Sequence, residues 1–274
     1  MYIYKIYLIL SAVFCLVLNN FYPVFSSPSS WWLAPLIFIL FFVFLFLLQC
    51  ILFVLMILTR NIKKEPSFSK FFRYLLKITL PVIIKAVRVT INFEGIEKLP
   101  EDTPLLFVCN HQHDVDPAVI LDCFRDSDIA FIGKKEIYTE MPFIARAMHL
   151  INSFPIDREN DREAAKTIIK AIKTIKEKSV SIAIFPEGYT SRTCELLPFR
   201  NGCFKIALKA ECPIAVCVLN NTRQVPKNLF IRKTEVTFKL LDVLYYEDIK
   251  DKNTAEIGSI IHEKIKNELD ILRK

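Results

Sequence analysis

The sequence predicts an α/β fold, with a mixed, mostly parallel sheet flanked by helices and preceded by an N-terminal transmembrane helical hairpin. Two patterns indicate this fold. Short apolar runs such as 181–185 alternate with segments of helical periodicity such as 163–178, which is the order of elements in a parallel sheet with crossover helices. Before residue 60, by contrast, the chain is almost continuously apolar, as membrane-spanning helices are.

We therefore expect three parts in the 274 residues. Residues 1–59 would form a membrane anchor of two transmembrane helices. Residues 60–92 would form a basic amphipathic segment on the membrane surface. Residues 93–274 would form the α/β domain, which we expect to face the cytoplasm.

The anchor holds two apolar runs of different length. Residues 32–58 are interrupted only by Pro35 and Gln49, and they are long enough to cross a bilayer with some tilt. Residues 6–18 form a shorter run, which fits either a short spanning helix or the apolar core of a signal peptide. We favour the spanning helix, because no clear small-x-small cleavage site is present, and we place the turn of the hairpin at 23–30.

The orientation follows from the basic residues. Residues 21–30 carry no charge, whereas six basic residues follow the second run: Arg60, Lys63, Lys64, Lys70, Arg73 and Lys77. By the positive-inside rule, everything after residue 60 is then cytoplasmic. These cations are interleaved with aromatic and leucine side chains. The segment therefore suits a helix on anionic lipid headgroups or an amphipathic helix of the domain core, and both can hold.

The net charge of +7 is assigned to this membrane surface. We expect no nucleic-acid partner, because neither a helix-turn-helix nor aromatic-rich basic strands are recognisable.

The rest of the chain alternates strands and helices. Strands are expected at 105–108, 129–132, 151–154, 181–185, 214–219 and 236–240, and helices at 163–178 and 204–210. A closing helix carries an apolar stripe from Ile257 to Leu272. Asn253 and Glu256 have the spacing of a capping box at its start.

Residues with catalytic potential cluster after the first of these strands, in Asn110-His111-Gln112-His113-Asp114-Val115-Asp116-Pro117. Pro117 suits the first turn of a helix that Asp116 would cap. A neutral His111 can take a proton from a hydroxyl if the Asp116 carboxylate holds its other ring nitrogen. From these residues alone, two other interpretations stay open. One is a polar loop that caps a helix; the other is a metal site, for which completing ligands at typical spacing are missing.

A second segment, Phe185-Pro186-Glu187-Gly188, ends a later strand. Together with Asn110-His111-x4-Asp116, it resembles the glycerolipid acyltransferase family, whose type member is 1-acylglycerol-3-phosphate acyltransferase. Two further blocks are similar to the family's: Gly133-Lys134-Lys135-Glu136 followed by Phe154-Pro155-Ile156-Asp157-Arg158, and Pro213-Ile214-Ala215-Val216, which Phe199-Arg200-Asn201-Gly202 precedes. The resemblance covers roughly residues 70–245.

The resemblance implies an activity. A fatty acyl group would pass from acyl-CoA or acyl carrier protein to the free hydroxyl of a lysophospholipid, 1-acylglycerol-3-phosphate first among the acceptors. His111 would be the base and Asp116 its orienter. No metal or cofactor is implied beyond the thioester co-substrate. The alternatives are another lysolipid or glycerol 3-phosphate as acceptor, and a non-catalytic membrane protein that binds lipid.

The resemblance also implies where the acceptor's polar head is held. Arg158, Glu187 and Gly188 would contact it. In the family, the Phe-Pro-Glu-Gly segment continues with Thr-Arg-Ser, whereas in this chain Tyr189-Thr190-Ser191 follows Gly188. We expect Arg192, two positions further on, to replace the missing arginine.

Overall fold

The computed structural model describes residues 2–62, 65–101, 103–178, 180–191 and 193–273. Its helices are α1 (Tyr2–Phe21), α2 (Leu33–Thr59), α3 (Lys70–Ala86), α4 (Asp116–Cys123), α5 (Glu136–Glu140), α6 (Pro142–Leu150), α7 (Asp161–Lys178), α8 (Lys205–Ala210), α9 (Val225–Asn228), α10 (Tyr246–Ile249) and α11 (Thr254–Leu272). Its strands are β1 (Val89–Glu94), β2 (Leu106–Cys109), β3 (Ile129–Lys134), β4 (Phe154–Ile156), β5 (Ser181–Ile184), β6 (Ile214–Asn220) and β7 (Thr234–Leu244).

Among the described residues, the strands form one sheet in the order β1-β7-β6-β2-β5-β3-β4. The five strands from β6 to β4 run parallel, whereas β7 is antiparallel to β6 and pairs in parallel with β1. This is the mixed, mostly parallel α/β fold that the sequence predicts. The parallel strands point their carboxyl ends to one edge of the sheet, and β7 and β1 begin at that same edge.

The two faces of the sheet carry different helices. Side chains alternate along each strand, so that Leu106 and Val108 of β2 enter the core under α7, α8 and α11. Phe107 and Cys109 enter the core under α3, α4 and α6. None of these four side chains is more than 2% exposed. Burial on both faces explains why the strand is a continuous apolar run.

The first two helices form the hairpin that the apolar runs predict. Phe14 stacks on Phe41 with ring centroids 4.1 Å apart, and the Tyr7 hydroxyl donates to Gln49 Oε1 over 3.0 Å. Both helices are long and apolar enough to cross a membrane. Most of their side chains are not buried by the rest of the chain.

Helix α3 contains most of the basic segment and joins the hairpin to the domain. Phe72 is buried and stacks on Phe53 of α2, with centroids 5.1 Å apart. Gln49 Nε2 donates to Thr79 Oγ1 over 2.8 Å. Helix α3 is therefore an amphipathic core helix, while Phe71 on its outer side is 54% exposed. Contact of the segment with lipid stays a prediction.

Some element boundaries differ from expectation. The strand expected at 151–154 is β4, which begins at Phe154, because Asn152 has φ 58° and turns the chain before the strand starts. Strand β1 is not predicted, and the expected domain boundary between residues 92 and 93 falls inside it. The capping box is confirmed: Asn253 Oδ1 accepts from the amides of Ala255 and Glu256, and the Glu256 carboxylate accepts from the Asn253 amide.

Candidate active site

The carboxyl ends of the parallel strands bring most of the predicted site residues to one edge of the sheet. Strand β2 leads into His111, β5 into residues 185–188, and β4 into Arg158. Within the sheet, β5 is the neighbour of β2, and β3 separates β5 from β4. In open α/β sheets, this edge is where ligands bind.

His111 and Asp116 form a direct pair. His111 Nδ1 is 2.8 Å from Asp116 Oδ2, and that oxygen also accepts from the amides of Gln112 over 2.7 Å and His113 over 3.0 Å. The imidazole stacks on the Phe185 ring at a centroid distance of 4.2 Å. With its Nδ1–H donated to Asp116, the ring has Nε2 left to accept a proton.

Asp116 does not cap α4 as expected. It is the first residue of the helix, and Val115 precedes it without a side-chain cap bond. The carboxylate turns back instead, because the amides of the preceding loop converge on one of its oxygens. Pro117 lies in the first turn, as predicted. The loop is thus folded around a carboxylate that is completely buried.

Glu187 holds the same loop from the other side. Its Oε1 accepts from the His111 amide over 2.6 Å, and its Oε2 accepts from the Leu197 amide over 2.8 Å. Burial raises the pKa of the Glu187 carboxyl to about 7, although both amides act in the opposite direction. Contact with the acceptor stays a prediction for this residue, since backbone amides already occupy both oxygens.

Asn110 fixes the strand end before His111. Its Nδ2 donates to the Leu219 carbonyl over 2.9 Å, and its Oδ1 accepts from the Leu219 amide over 2.8 Å. The Ser191 amide donates to the His111 carbonyl over 3.0 Å. The backbone of His111 is therefore tied both to the segment after Gly188 and, through Asn110, to β6.

An apolar pocket of about 400 Å³ opens beside the His111 ring. Apolar side chains of α2, α3 and α6 line it, among them Phe53, Ile57, Leu76, Leu80, Phe143 and Ile144. Its polar lining includes His111, Asp114, Lys134, Arg158 and Thr190. A concave, mostly apolar site with a few polar groups suits an alkyl chain whose polar end lies at His111.

Two guanidinium groups meet close to this pocket. The Cζ atoms of Arg158 and Arg200 lie 5.3 Å and 5.6 Å from the centre of the Tyr189 ring, and Arg200 donates to the Arg158 carbonyl over 3.0 Å. Neither guanidinium forms an ion pair with a carboxylate among the described residues. Burial lowers the pKa of Arg158, and the charge of Arg200 contributes to that shift. Two adjacent, unpaired cations suit an anion such as a phosphate.

Gly188 allows the side chains of these two arginines to pass close to the backbone. Its φ is +79°, a conformation that side chains disfavour. A β-carbon at this position would lie 3.3 Å from Arg200 Nε and 3.7 Å from Arg158 Nε. Glycine therefore serves here both the turn and the close approach of Arg200.

Arg200 is a site residue that sequence reasoning missed. Its amide donates to the Pro186 carbonyl over 2.8 Å, which places residues 199–202 beside the glycine turn. The available signal is the basic residue in Phe199-Arg200-Asn201-Gly202. Arg192, which is expected to replace the missing arginine, lies outside the described residues.

A family model described as Acyltransferase matches residues 90–220. The chain therefore contains an acyltransferase domain. The matched residues include His111, Asp116, Arg158 and Arg200, together with the glycine turn at Gly188. The matched segment thus contains the carboxyl ends of all five parallel strands.

Relatives with assigned names are similar over much of this domain. The chain is 31% identical over 164 residues to the 1-acyl-sn-glycerol-3-phosphate acyltransferase of Escherichia coli, covering 58% of this chain and 66% of the relative. It is 31% identical over 174 residues to the protein of the same name from Cocos nucifera, covering 63% and 55%. The chain thus spans between half and two thirds of the length of these relatives.

The fold also has a counterpart among solved structures. The crystal structure of the 1-acyl-sn-glycerophosphate acyltransferase from Thermotoga maritima aligns with a TM-score of 0.60 over 98% of both chains, at 20% sequence identity. The likeness is one of fold, and its extent includes the N-terminal helices as well as the sheet.

Proposed function

We propose that this chain is an O-acyltransferase that moves a fatty acyl group from acyl-CoA or acyl carrier protein to the free hydroxyl of a lysophospholipid. The acceptor is 1-acylglycerol-3-phosphate and the product is phosphatidic acid, in phospholipid synthesis. The observation that carries the proposal is the His111–Asp116 pair beside an apolar pocket with cations in its wall. The names of the relatives supply the class of acceptor.

The proposed reaction needs one base. His111 Nε2 removes the proton from the acceptor hydroxyl as that oxygen attacks the thioester carbonyl, and Asp116 stabilises the resulting imidazolium. The tetrahedral centre then collapses with cleavage of the C–S bond, and the proton on His111 passes to the departing thiolate. One ester forms as one thioester breaks, without a covalent enzyme intermediate.

Arg158 and Arg200 would hold the phosphate of the acceptor. A guanidinium can donate two parallel hydrogen bonds to phosphate, which threonine at position 190 cannot do. Lys134 lines the same pocket and adds a third cation. Under this proposal Arg200 performs the task that the sequence assigns to Arg192.

The hairpin would keep the reaction at the bilayer, where both acceptor and product reside. We place residues 60–274 at the cytoplasmic face, since basic residues follow α2 and the turn between α1 and α2 carries no charge. In this arrangement a soluble thioester meets a lipid hydroxyl without extraction of the lipid into water.

A transfer assay tests the proposal. Membrane fractions that contain the chain are supplied with labelled acyl donor and three acceptors: 1-acylglycerol-3-phosphate, lysophosphatidylcholine and glycerol 3-phosphate. We expect transfer to the first and little to the others, with His111→Ala as the matched inactive variant. Transfer only to another acceptor would show that the acceptor is not 1-acylglycerol-3-phosphate. Absence of all transfer from correctly inserted protein would favour the lipid-binding alternative.

A further inference from the structure

Between α9 and β7 the chain exposes three consecutive large apolar side chains. Leu229, Phe230 and Ile231 are 40%, 65% and 73% exposed. We call residues 229–231 the apolar tip. Single exposed apolar residues are ordinary on protein surfaces, whereas a contiguous group indicates a contact site.

Hydrogen bonds hold the apolar tip in place. The Asn228 carbonyl accepts from the amides of Ile231 and Arg232, both over 2.9 Å, and Asn228 Nδ2 donates to Thr234 Oγ1 over 3.0 Å. Phe230 has φ 61°, which is unfavourable for an aromatic residue. A solvent-exposed phenyl group in a strained backbone conformation points to a function at this surface.

Basic residues accompany the apolar tip. Arg88 donates to the Ile231 carbonyl over 3.2 Å, and exposed Lys227, Arg232 and Lys233 flank the tip in sequence. The charge of one of these cations is neutralised, because Lys233 pairs with Glu235 over 2.8 Å. An apolar protrusion with cations beside it is complementary to an anionic bilayer, whose acyl region takes the apolar groups while the headgroups meet the cations.

The apolar tip also lies at the correct edge of the sheet. Strand β7 follows it directly and runs antiparallel to β6, so that the tip stands beside the carboxyl end of β6, on the edge that carries His111. Strand β1 begins at the same edge, immediately after α3, whose Ile83 is 46% exposed near its end. Helix α3 in turn packs on the hairpin.

We propose that the apolar tip is a second membrane contact, which inserts into an anionic lipid surface and turns the active-site edge toward the bilayer. The hairpin would attach the domain to the membrane, and the tip would fix its inclination. The inference needs a bilayer-inserted hairpin but does not depend on acyl transfer, so the two proposals can fail separately.

Fluorescence quenching by lipid tests it on the full chain in vesicles that contain anionic lipid. The two native tryptophans, Trp31 and Trp32, are replaced by phenylalanine, and Phe230→Trp supplies the probe. The matched control is Ile96→Trp. Ile96 is 54% exposed and follows the end of β1 at the opposite edge of the sheet. Unchanged far-ultraviolet circular dichroism confirms that each variant folds.

We expect a nitroxide near the headgroup end of the acyl chains to quench the tryptophan introduced by Phe230→Trp and not the one introduced by Ile96→Trp. Lys227→Glu combined with Arg232→Glu should reduce that quenching. Equal quenching at the two sites, or none at either, would overturn the proposal. Quenching that is indifferent to both charge reversal and anionic lipid would overturn its electrostatic part.

Discussion

At the scale of single residues, the buried carboxylate of Asp116 determines where the His111 ring can lie. One of its oxygens receives the imidazole and the amides of Gln112 and His113, whereas Oδ1 has no hydrogen-bond partner among the described residues. Three polar groups therefore depend on one oxygen atom. Loss of its charge would disturb both the tautomer of the ring and the shape of the loop.

His111→Ala is expected to lower kcat by about 10²–10⁴-fold, which is the usual contribution of a general base. Asp116→Asn should also be severe, because an amide cannot stabilise the imidazolium. His113→Ala is the matched control, since the one hydrogen bond of that ring among the described residues is accepted from the Val115 amide over 3.3 Å. Turnover is measured at equal membrane content. Near-normal turnover of His111→Ala would refute the assignment.

Glu187→Gln tests the second support of the loop. Burial raises the pKa of Glu187 from 4.5 to about 7 in the folded chain. Between these values the folded state keeps a proton that the unfolded state has lost. The free energy of unfolding should therefore be highest below the lower value and fall by on the order of 3 kcal/mol as the pH rises through the higher one.

The glutamine variant cannot titrate and should lack this slope. Denaturant unfolding of the detergent-solubilised chain across that pH window measures it, with Glu195→Gln at an exposed position as control. The same pH dependence in wild type and Glu187→Gln would show that another group is responsible.

Arg200→Ala should raise KM for a phosphate-bearing acceptor about tenfold or more, the scale of a lost charge-assisted hydrogen bond. The effect on kcat should be smaller. Thr190→Arg in the same chain should restore part of the affinity, because it returns a guanidinium to the family's position. Exposed Arg162 supplies the control. Equal effects of Arg162→Ala and Arg200→Ala would leave Arg200 without a role in binding.

At the scale of elements, one polar side chain joins the two apolar helices to the domain. Gln49 is 2% exposed, accepts from the Tyr7 hydroxyl of α1 and donates to Thr79 of α3. In the sequence it is only an interruption of an apolar run. In the structure it bonds to both α1 and α3, as polar residues in membrane segments often bond to neighbouring helices.

A double-mutant cycle tests this connection. Gln49→Leu and Thr79→Val should each lower the melting temperature of the purified chain, since each leaves a buried polar partner unpaired at a cost of about 1–3 kcal/mol. The double variant should lose less than the sum of the two. Insertion into membranes should remain normal throughout. Strict additivity would mean that the two side chains act independently.

The sequence predicts some elements and site residues and misses others, and the reasons are physical. His111 and Asp116 are five positions apart, so a local loop is enough to pair them. Arg200 reaches the site through a backbone hydrogen bond to Pro186, which no local pattern encodes. Strand β1 escapes detection because it follows α3 closely, and its first four residues fall in the segment assigned to the membrane surface. The position of Arg200 and the pairing of β1 both depend on contacts between residues that are distant in sequence, and a local sequence pattern does not encode such contacts.

At the scale of the whole molecule, the hairpin limits how the domain can sit on the membrane. Gln49 bonds to α3, and the part of α2 before it is about 24 Å long at 1.5 Å per residue. The hydrocarbon core is about 30 Å thick. A hairpin whose turn reaches the far side would therefore place Gln49, and the α3 residue bonded to it, within the near side of that core.

Cysteine labelling of intact cells tests this arrangement. In a chain without its eight native cysteines, Ser29→Cys in the turn should react with an impermeant reagent. Lys209→Cys, on the exposed side of α8, should react only after permeabilisation. Protection of both positions until permeabilisation would mean that the turn does not cross, and external reaction of Lys209→Cys would reverse the orientation.

The pairing of β1 with β7 also affects how the protein is made. Val89 pairs with Thr234, so β1 leaves the ribosome about 7–30 s before its partner, at about 5–20 residues per second. The hairpin and α3 are complete throughout that interval, whereas β1 lacks its neighbour in the sheet. The strand nearest in sequence to the membrane anchor therefore stays unpaired until its partner, β7, has been translated close to the end of the chain.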